Sequence, residues 1–188
     1  MFNHQNHVFG SVPGLPNLGV SATETTISGF SSGAFMTAQL HVTFSETFKG
    51  AGVLAGGPFF CAQDDGEKWL YSCTTQPENI PIKTIEQDAQ KFSDAKSIDP
   101  ISTLKDQPVW LWSGTKDTIV YHGVENATDQ FYRDMGADVV YVNDMEAEHG
   151  FPTDLSRNKN TCMTLDRPGI SNCHYDGVGE MFKHIIPN

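Results

Sequence analysis

The sequence has little positive charge, no long apolar run and no metal-ligand spacing, and each shortage excludes a class of function. Only 12 Lys and Arg stand against 23 Asp and Glu in 188 residues, a formal net charge of −11. A chain this acidic is unsuited to holding phosphate backbones or anionic lipid surfaces by charge, so no nucleic-acid or membrane partner is expected. Nothing approaches the roughly 20 consecutive apolar residues needed to span a bilayer. The longest weakly polar stretch, residues 51–62, is broken by Gly52, Gly56, Gly57 and Pro58. The first seven residues hold no Lys or Arg and no apolar core, so they do not read as a signal peptide. There is no C-x-x-C, no Cys and His grouping with zinc spacing and no glycine-rich nucleotide loop. Neither a metal nor an organic cofactor is therefore expected.

What is present describes a globular chain. Hydrophobic residues make up 38% and charged residues 19%, a balance that closes a core rather than leaving a disordered chain. The length suits one domain over residues 1–188, with residues 1–22, rich in Gly, Pro, Asn and Ser, as an irregular lead-in. The four cysteines fall into two neighbouring pairs, Cys61 with Cys73 and Cys162 with Cys173. Two local disulfides in an oxidising compartment are the preferred reading over four separate buried thiols. Asn126-Ala127-Thr128 is a glycosylation sequon.

Strand and helix patterns alternate. Thr25 to Ser28 is a short β-prone run, and Gly33 to about Phe48 reads as a helix apolar all round, as in a deeply buried helix. Gly50 to Ala55 reads as a buried strand. Residues 56–80 form a long loop, and Pro81 to about Lys96 a helix with Pro near its start. Pro108 to Ser113 is a strand, Val124 to Met135 a helix stopped by Gly136. Asp138 to Asn143 is a strand and Gly177 to Ile186 a last helix. The alternation predicts an α/β fold around a mostly parallel sheet of about four strands. Right-handed crossovers place most helices on one face and leave the last helix free for the other.

Gly29-Phe30-Ser31-Ser32-Gly33 matches G-x-S-x-G between a strand and a helix, the setting of a nucleophile elbow. The helix N-terminus offers the Ser32 backbone N–H to a developing oxyanion. A nucleophilic serine needs a base and the base an orienting acid, each just past a strand end. Asp117 lies four residues beyond Ser113 and His149 six beyond Asn143, in the chain order Ser, acid, His. Alone, Asp117 would read as a turn residue, and His149 as a surface histidine beside Glu146 and Glu148. Three placements in order favour the catalytic reading. Asp144 and Asp154 rank below Asp117 as acids, and His41 and His122 below His149 as bases. Phe59 and Phe60 read as loop-packing residues ahead of acyl-chain contacts.

Together these motifs carry a resemblance. Residues 28–62 resemble the nucleophile region of secreted polyhydroxybutyrate depolymerases, residues 113–120 their aspartate motif and residues 147–154 their histidine motif. The stretch from Cys162 onward is similar to their disulfide-and-helix segment. The resemblance implies an α/β-hydrolase-like domain, circularly permuted or truncated. It implies an extracellular serine esterase acting on poly(3-hydroxybutyrate) or related polyesters. Ser31 would be the nucleophile, His149 the base and Asp117 the orienting carboxylate, and both cysteine pairings gain support. It also implies further strands and a His-Gly-Cys oxyanion segment after the last helix. None follows before Asn188, which leaves one oxyanion donor assignable, the Ser32 N–H. Two expectations result: a piece of a longer protein, or a homo-oligomer formed through an exposed sheet edge. The competing functions are a general short-chain or aromatic-polyester esterase, and a truncated, weakly active or non-catalytic remnant.

Overall fold

The computed structural model describes Gly14, Pro16 and residues 18–186, so most of the expected lead-in over residues 1–22 lies outside the described residues. Four parallel strands form the main sheet: β1 (Thr25–Phe30), β2 (Phe48–Leu54), β3 (Pro108–Trp112) and β4 (Asp138–Val142), in the order β1-β2-β3-β4. Sequence order equals spatial order because each strand is followed by a crossover. The crossovers carry α1 (Ser32–Thr43), α2 (Ile82–Asp94) and, between β3 and β4, α3 (His122–Asp134). A second, two-stranded parallel sheet pairs β5 (Phe151–Thr153) with β6 (Ile170–Asn172), and α4 (Gly177–Ile185) closes the described chain.

Alternation along the strands splits the core into two layers. Ala51, Val53, Val109, Leu111 and Val139 face Ala34 and Val42 of α1, Ile85 of α2 and Phe131 of α3. Leu54, Trp110 and Trp112 point the other way and meet Met181 and Ile185 of α4. The other face is thus covered by the last helix, which the crossovers leave free to do so. Fully burying side chains of this size stabilises by about 1.5–3 kcal/mol each, so the two faces dominate the stability of the sheet. Gly52 lets α4 sit close, because a Cβ there would run into the Met181 side chain.

Three sequence expectations are corrected. The first helix ends at Thr43 rather than near Phe48, and Phe48 already begins β2. The turn between them is held from outside: the Glu46 N–H donates to Asp99 Oδ2 at 2.9 Å. That helix is also not buried all round, since Met36 is 55% exposed and lines a cavity together with Phe35, which packs against the core as well. The β5–β6 sheet falls where no strand was expected. The long loop 56–80 holds a π-helical turn at Lys68–Ser72 and a 3₁₀ turn at Pro77–Asn79. Both cysteine pairs are bonded, Cys61–Cys73 across this loop and Cys162–Cys173 beside β6.

One buried carboxyl sits within the larger core layer. Glu125 of α3 is fully buried, and its Oε2 accepts the Gly56 N–H at 2.6 Å. Its other oxygen has no partner. Burial drives its pKa well above the ordinary carboxylate value, and the nearby charges of Asp117 and Asp129 push the same way. The folded state therefore holds a proton that the unfolded chain has lost, and stability falls as pH rises above the unfolded value of about 4.3. Glu125→Gln keeps an acceptor for Gly56 and cannot ionise. The variant is expected to melt higher than the parent at pH 7–8 and nearly with it at pH 4, by calorimetry.

Candidate active site

Ser31 sits on the turn between β1 and α1 with φ 56° and ψ −122°. This is a sparsely populated conformation for a residue with a Cβ, and such strain costs about 1–3 kcal/mol. The surroundings enforce it. The Ser31 N–H donates to Leu54 O at 2.9 Å, and the Ser31 carbonyl accepts from the Ala34 and Phe35 N–H groups. Gly29 is required by the turn, because a Cβ there would strike the Gly33 backbone. Gly33 itself faces open space, so only the first motif glycine is sterically demanded. Ser32 opens α1, where no carbonyl of the helix can satisfy its N–H.

Asp117 lies on the turn after β3 and His149 on the segment after β4. These two segments touch at Gly114, where a Cβ would meet the Ala147 backbone. Backbone bonds from Thr115 to Met145 O (2.9 Å) and from Lys116 to Ala147 O (3.1 Å) hold them together. The three side chains then meet in a line. His149 Nε2 lies 2.9 Å from Ser31 Oγ, and His149 Nδ1 lies 2.7 Å from Asp117 Oδ2. Asp117 and His149 are both buried. Asp117 Oδ1 accepts the N–H groups of Ile119 (2.9 Å) and Val120 (2.8 Å). The Phe30 ring packs 4.8 Å from the His149 ring and restricts its swing.

The other candidates lie elsewhere. His41 is a satisfied core residue: Nδ1 meets Tyr132 Oη at 3.1 Å and Nε2 meets Gln107 Oε1 at 2.8 Å. Burial lowers its pKa to about 4, although the Gln107 bond opposes the shift. His122 bonds Ser113 Oγ at 3.3 Å and stacks on Tyr141; desolvation lowers its pKa. Asp144 and Asp154 are exposed, and the His149 ring nitrogens bond Asp117 and Ser31 instead. The sequon residue Asn126 is exposed on α3, and its Oδ1 accepts from Tyr141 Oη at 2.9 Å.

A cavity of about 750 Å³ opens beside Ser31. Ser31, Ser32, Phe35, Met36, Phe60 and Trp69 are among its lining residues, and none of the lining residues is basic. Both cysteines of the Cys61–Cys73 bridge line the cavity, so the bridge ties together the loop that forms this part of its wall. Phe59 is buried in the core, as a packing residue, whereas Phe60 reaches the cavity. Trp69, Leu70, Tyr71, Ile119 and Tyr121 are exposed apolar side chains. Among the described residues no group of His, Cys, Asp and Glu could hold a metal ion, and no helix is long and apolar enough to cross a membrane.

One polar residue escaped the sequence reading. Glu148, next to His149, turns inward and accepts the Thr118 N–H at 2.7 Å and the Thr118 hydroxyl at 2.9 Å. Its neighbour position to His149 was the only signal, and a run of acidic residues usually reads as a solvated segment.

Comparison with known proteins agrees with the resemblance read from the motifs. The chain is 42% identical over 174 residues to a poly(3-hydroxybutyrate) depolymerase of Delftia acidovorans, covering 91% of this chain and 35% of that protein. It is 35% identical over 175 residues to a polyhydroxybutyrate depolymerase of Talaromyces funiculosus, covering 91% of this chain and 50% of that protein. Among solved structures, a serine-to-alanine variant of a PHB depolymerase complexed with an R3HB trimer superposes with a TM-score of 0.79 at 32% identity, over 90% of this chain and 53% of that one. The PHB depolymerase from Penicillium funiculosum gives 0.78 at 33% identity, over 88% and 52%. The α/β architecture is therefore shared with these structures. The chain spans about a third to a half of the length of the curated relatives. No family model matches it.

Proposed function

We propose, from this homology to polyhydroxybutyrate depolymerases, that the chain carries a serine-esterase site for poly(3-hydroxybutyrate) or a related short-chain polyester. The observation that supports it best is the Ser31–His149–Asp117 line standing at an apolar cavity. In the first step His149 Nε2 takes the Ser31 hydroxyl proton while Oγ bonds to the ester carbonyl carbon. Negative charge collects on the carbonyl oxygen, where the Ser32 N–H can donate. The C–O bond then breaks, His149 returns the proton to the departing alkoxide, and an acyl-Ser31 ester remains. Water, deprotonated by His149, attacks this ester, and collapse frees the acid and restores the Ser31 hydroxyl. Asp117 stabilises the imidazolium in both halves.

The walls support the substrate class. A neutral aliphatic ester suits an apolar cavity whose polar lining includes Asp64 and Asp65 and no cation. The exposed apolar side chains at Trp69, Leu70, Tyr71, Ile119 and Tyr121 suit contact with a water-insoluble solid. Two disulfides suit an oxidising, extracellular location.

The test combines a covalent probe with two substrates. A fluorophosphonate is expected to add one adduct, mapped to Ser31 by peptide mass spectrometry, and to block both p-nitrophenyl butyrate hydrolysis and clearing of a polyhydroxybutyrate suspension. Hydrolysis of the soluble ester without clearing would replace the polyester reading with that of a general short-chain esterase. No adduct and no hydrolysis would reject the esterase reading.

A further inference from the structure

Asp117 is carried by a turn between β3 and α3, in which Ile119 is exposed and Val120 is anchored in the core. Asp117 Oδ1 organises the turn internally, through Ile119 and Val120. Those two bonds fix the carboxylate relative to its own turn but not relative to His149. The Thr115 and Lys116 backbone bonds join the two segments upstream of Asp117, and the side-chain link downstream of it comes from Glu148. It is 7% exposed, and both its carboxylate oxygens are engaged by a single residue, Thr118, the neighbour of Asp117. Its own backbone is tied on the other side, where the Glu148 N–H donates to Cys162 O at 2.9 Å beside the Cys162–Cys173 bridge. The residue before the histidine thus grips the residue after the aspartate.

We infer that Glu148 is a positioning residue: by holding the Thr118 N–H and hydroxyl it sets the Asp117 carboxylate opposite His149 Nδ1. This rests on the esterase reading for its consequence, but the geometry it explains does not. A buried carboxylate is an expensive way to hold a loop if any packed side chain would serve, because it must be taken out of water. Here the two oxygens divide the work, Oε1 accepting the Thr118 N–H and Oε2 the Thr118 hydroxyl. The neighbouring exposed pair Lys116–Glu146, at 3.6 Å, cannot replace it, since solvent-exposed ion pairs contribute little. Losing the grip lets the turn shift, and a displacement of about 1 Å in a reacting assembly can cost about 10²-fold in rate.

The experiment is kinetic and spectroscopic. Glu148→Ala is expected to lower kcat for p-nitrophenyl butyrate by about 10–100-fold with KM nearly unchanged. Glu148→Gln, which can still accept the Thr118 N–H, is expected to recover most of the loss. Thr118→Val is expected to lower kcat by itself and to add nothing in the Glu148→Ala background, because both act through one contact. The far-downfield proton resonance of the His149 Nδ1–H···Asp117 bond, assigned by its loss in Asp117→Ala, is expected to weaken or vanish in Glu148→Ala and persist in Glu148→Gln. If Glu148→Ala does not fold, Thr118→Val carries the same two readouts. Unchanged kcat with an unchanged resonance, or additive losses in the double variant, overturns the inference. If the parent shows no Ser31-dependent hydrolysis, the esterase reading fails and the resonance alone decides the role of Glu148.

Discussion

Ser31→Ala is expected to lower kcat for p-nitrophenyl butyrate by about 10⁶-fold, the scale seen when a serine hydrolase loses its nucleophile alone. The size of the loss follows from what the substitution leaves intact. The bonds that shape the elbow use the Ser31 backbone, to Leu54, Ala34 and Phe35, and alanine supplies the same groups. Alanine also bears the same strain at φ 56°, so the melting temperature should move little. Only Oγ is removed, and with it the atom that His149 Nε2 faces at 2.9 Å. His149 could then activate only a water molecule, held less well than a covalently attached hydroxyl. The measurement is kcat with the melting temperature recorded on the same samples. A loss below about tenfold in a folded variant would assign the hydrolysis to another group, because a merely supporting hydroxyl costs about that much.

How far the sequence revealed this arrangement depended on whether the cause was local. Pro108 to Ser113 and the helix stopped by Gly136 were legible because pattern and stop signal lie within the segment. Gly136 has φ 82°, a conformation for which glycine is the ordinary choice. The end of α1 was not legible. Local bonds from Thr47 and Phe48 to Phe44 O shape the turn, but it is also tied to Asp99, 53 residues away in sequence from Glu46. The β5 and β6 strands are three residues each and pair with one another. Neither has enough length to show a period. The residues of α1, apolar all round, point to a deeply buried helix, but a pattern cannot say whether an apolar side chain meets core or cavity. Phe35 and Met36 face a cavity.

The site shows the same division. Ser31, Asp117 and His149 stood out because strand ends are marked in sequence and the chain order is constrained. Glu148 and Glu125 did not, because both are buried acids whose partners, Thr118 and Gly56, are distant along the chain. Burial of a charged side chain leaves no mark in composition.

Asp117→Asn is expected to lower kcat by about 10⁴-fold while leaving fold and KM nearly unchanged. The direction comes from the two halves of the carboxylate. Oδ1 accepts two backbone N–H groups, those of Ile119 and Val120, and Oδ2 faces His149 Nδ1. An asparagine must keep its oxygen toward the two N–H donors, since turning its amide there would set donor against donor twice. Its NH₂ group then points at His149 Nδ1 and forces that nitrogen to accept. The ring proton moves to Nε2, where it faces Ser31 Oγ, and a protonated Nε2 cannot receive the serine proton. The variant should therefore fold, bind ester and fail to be acylated. Stopped-flow release of p-nitrophenol should show the burst of acylation slowed with kcat, and the far-downfield Nδ1 proton resonance should be absent. A variant within about tenfold of the parent would mean that Asp117 holds the Val120 turn but does not select the His149 tautomer.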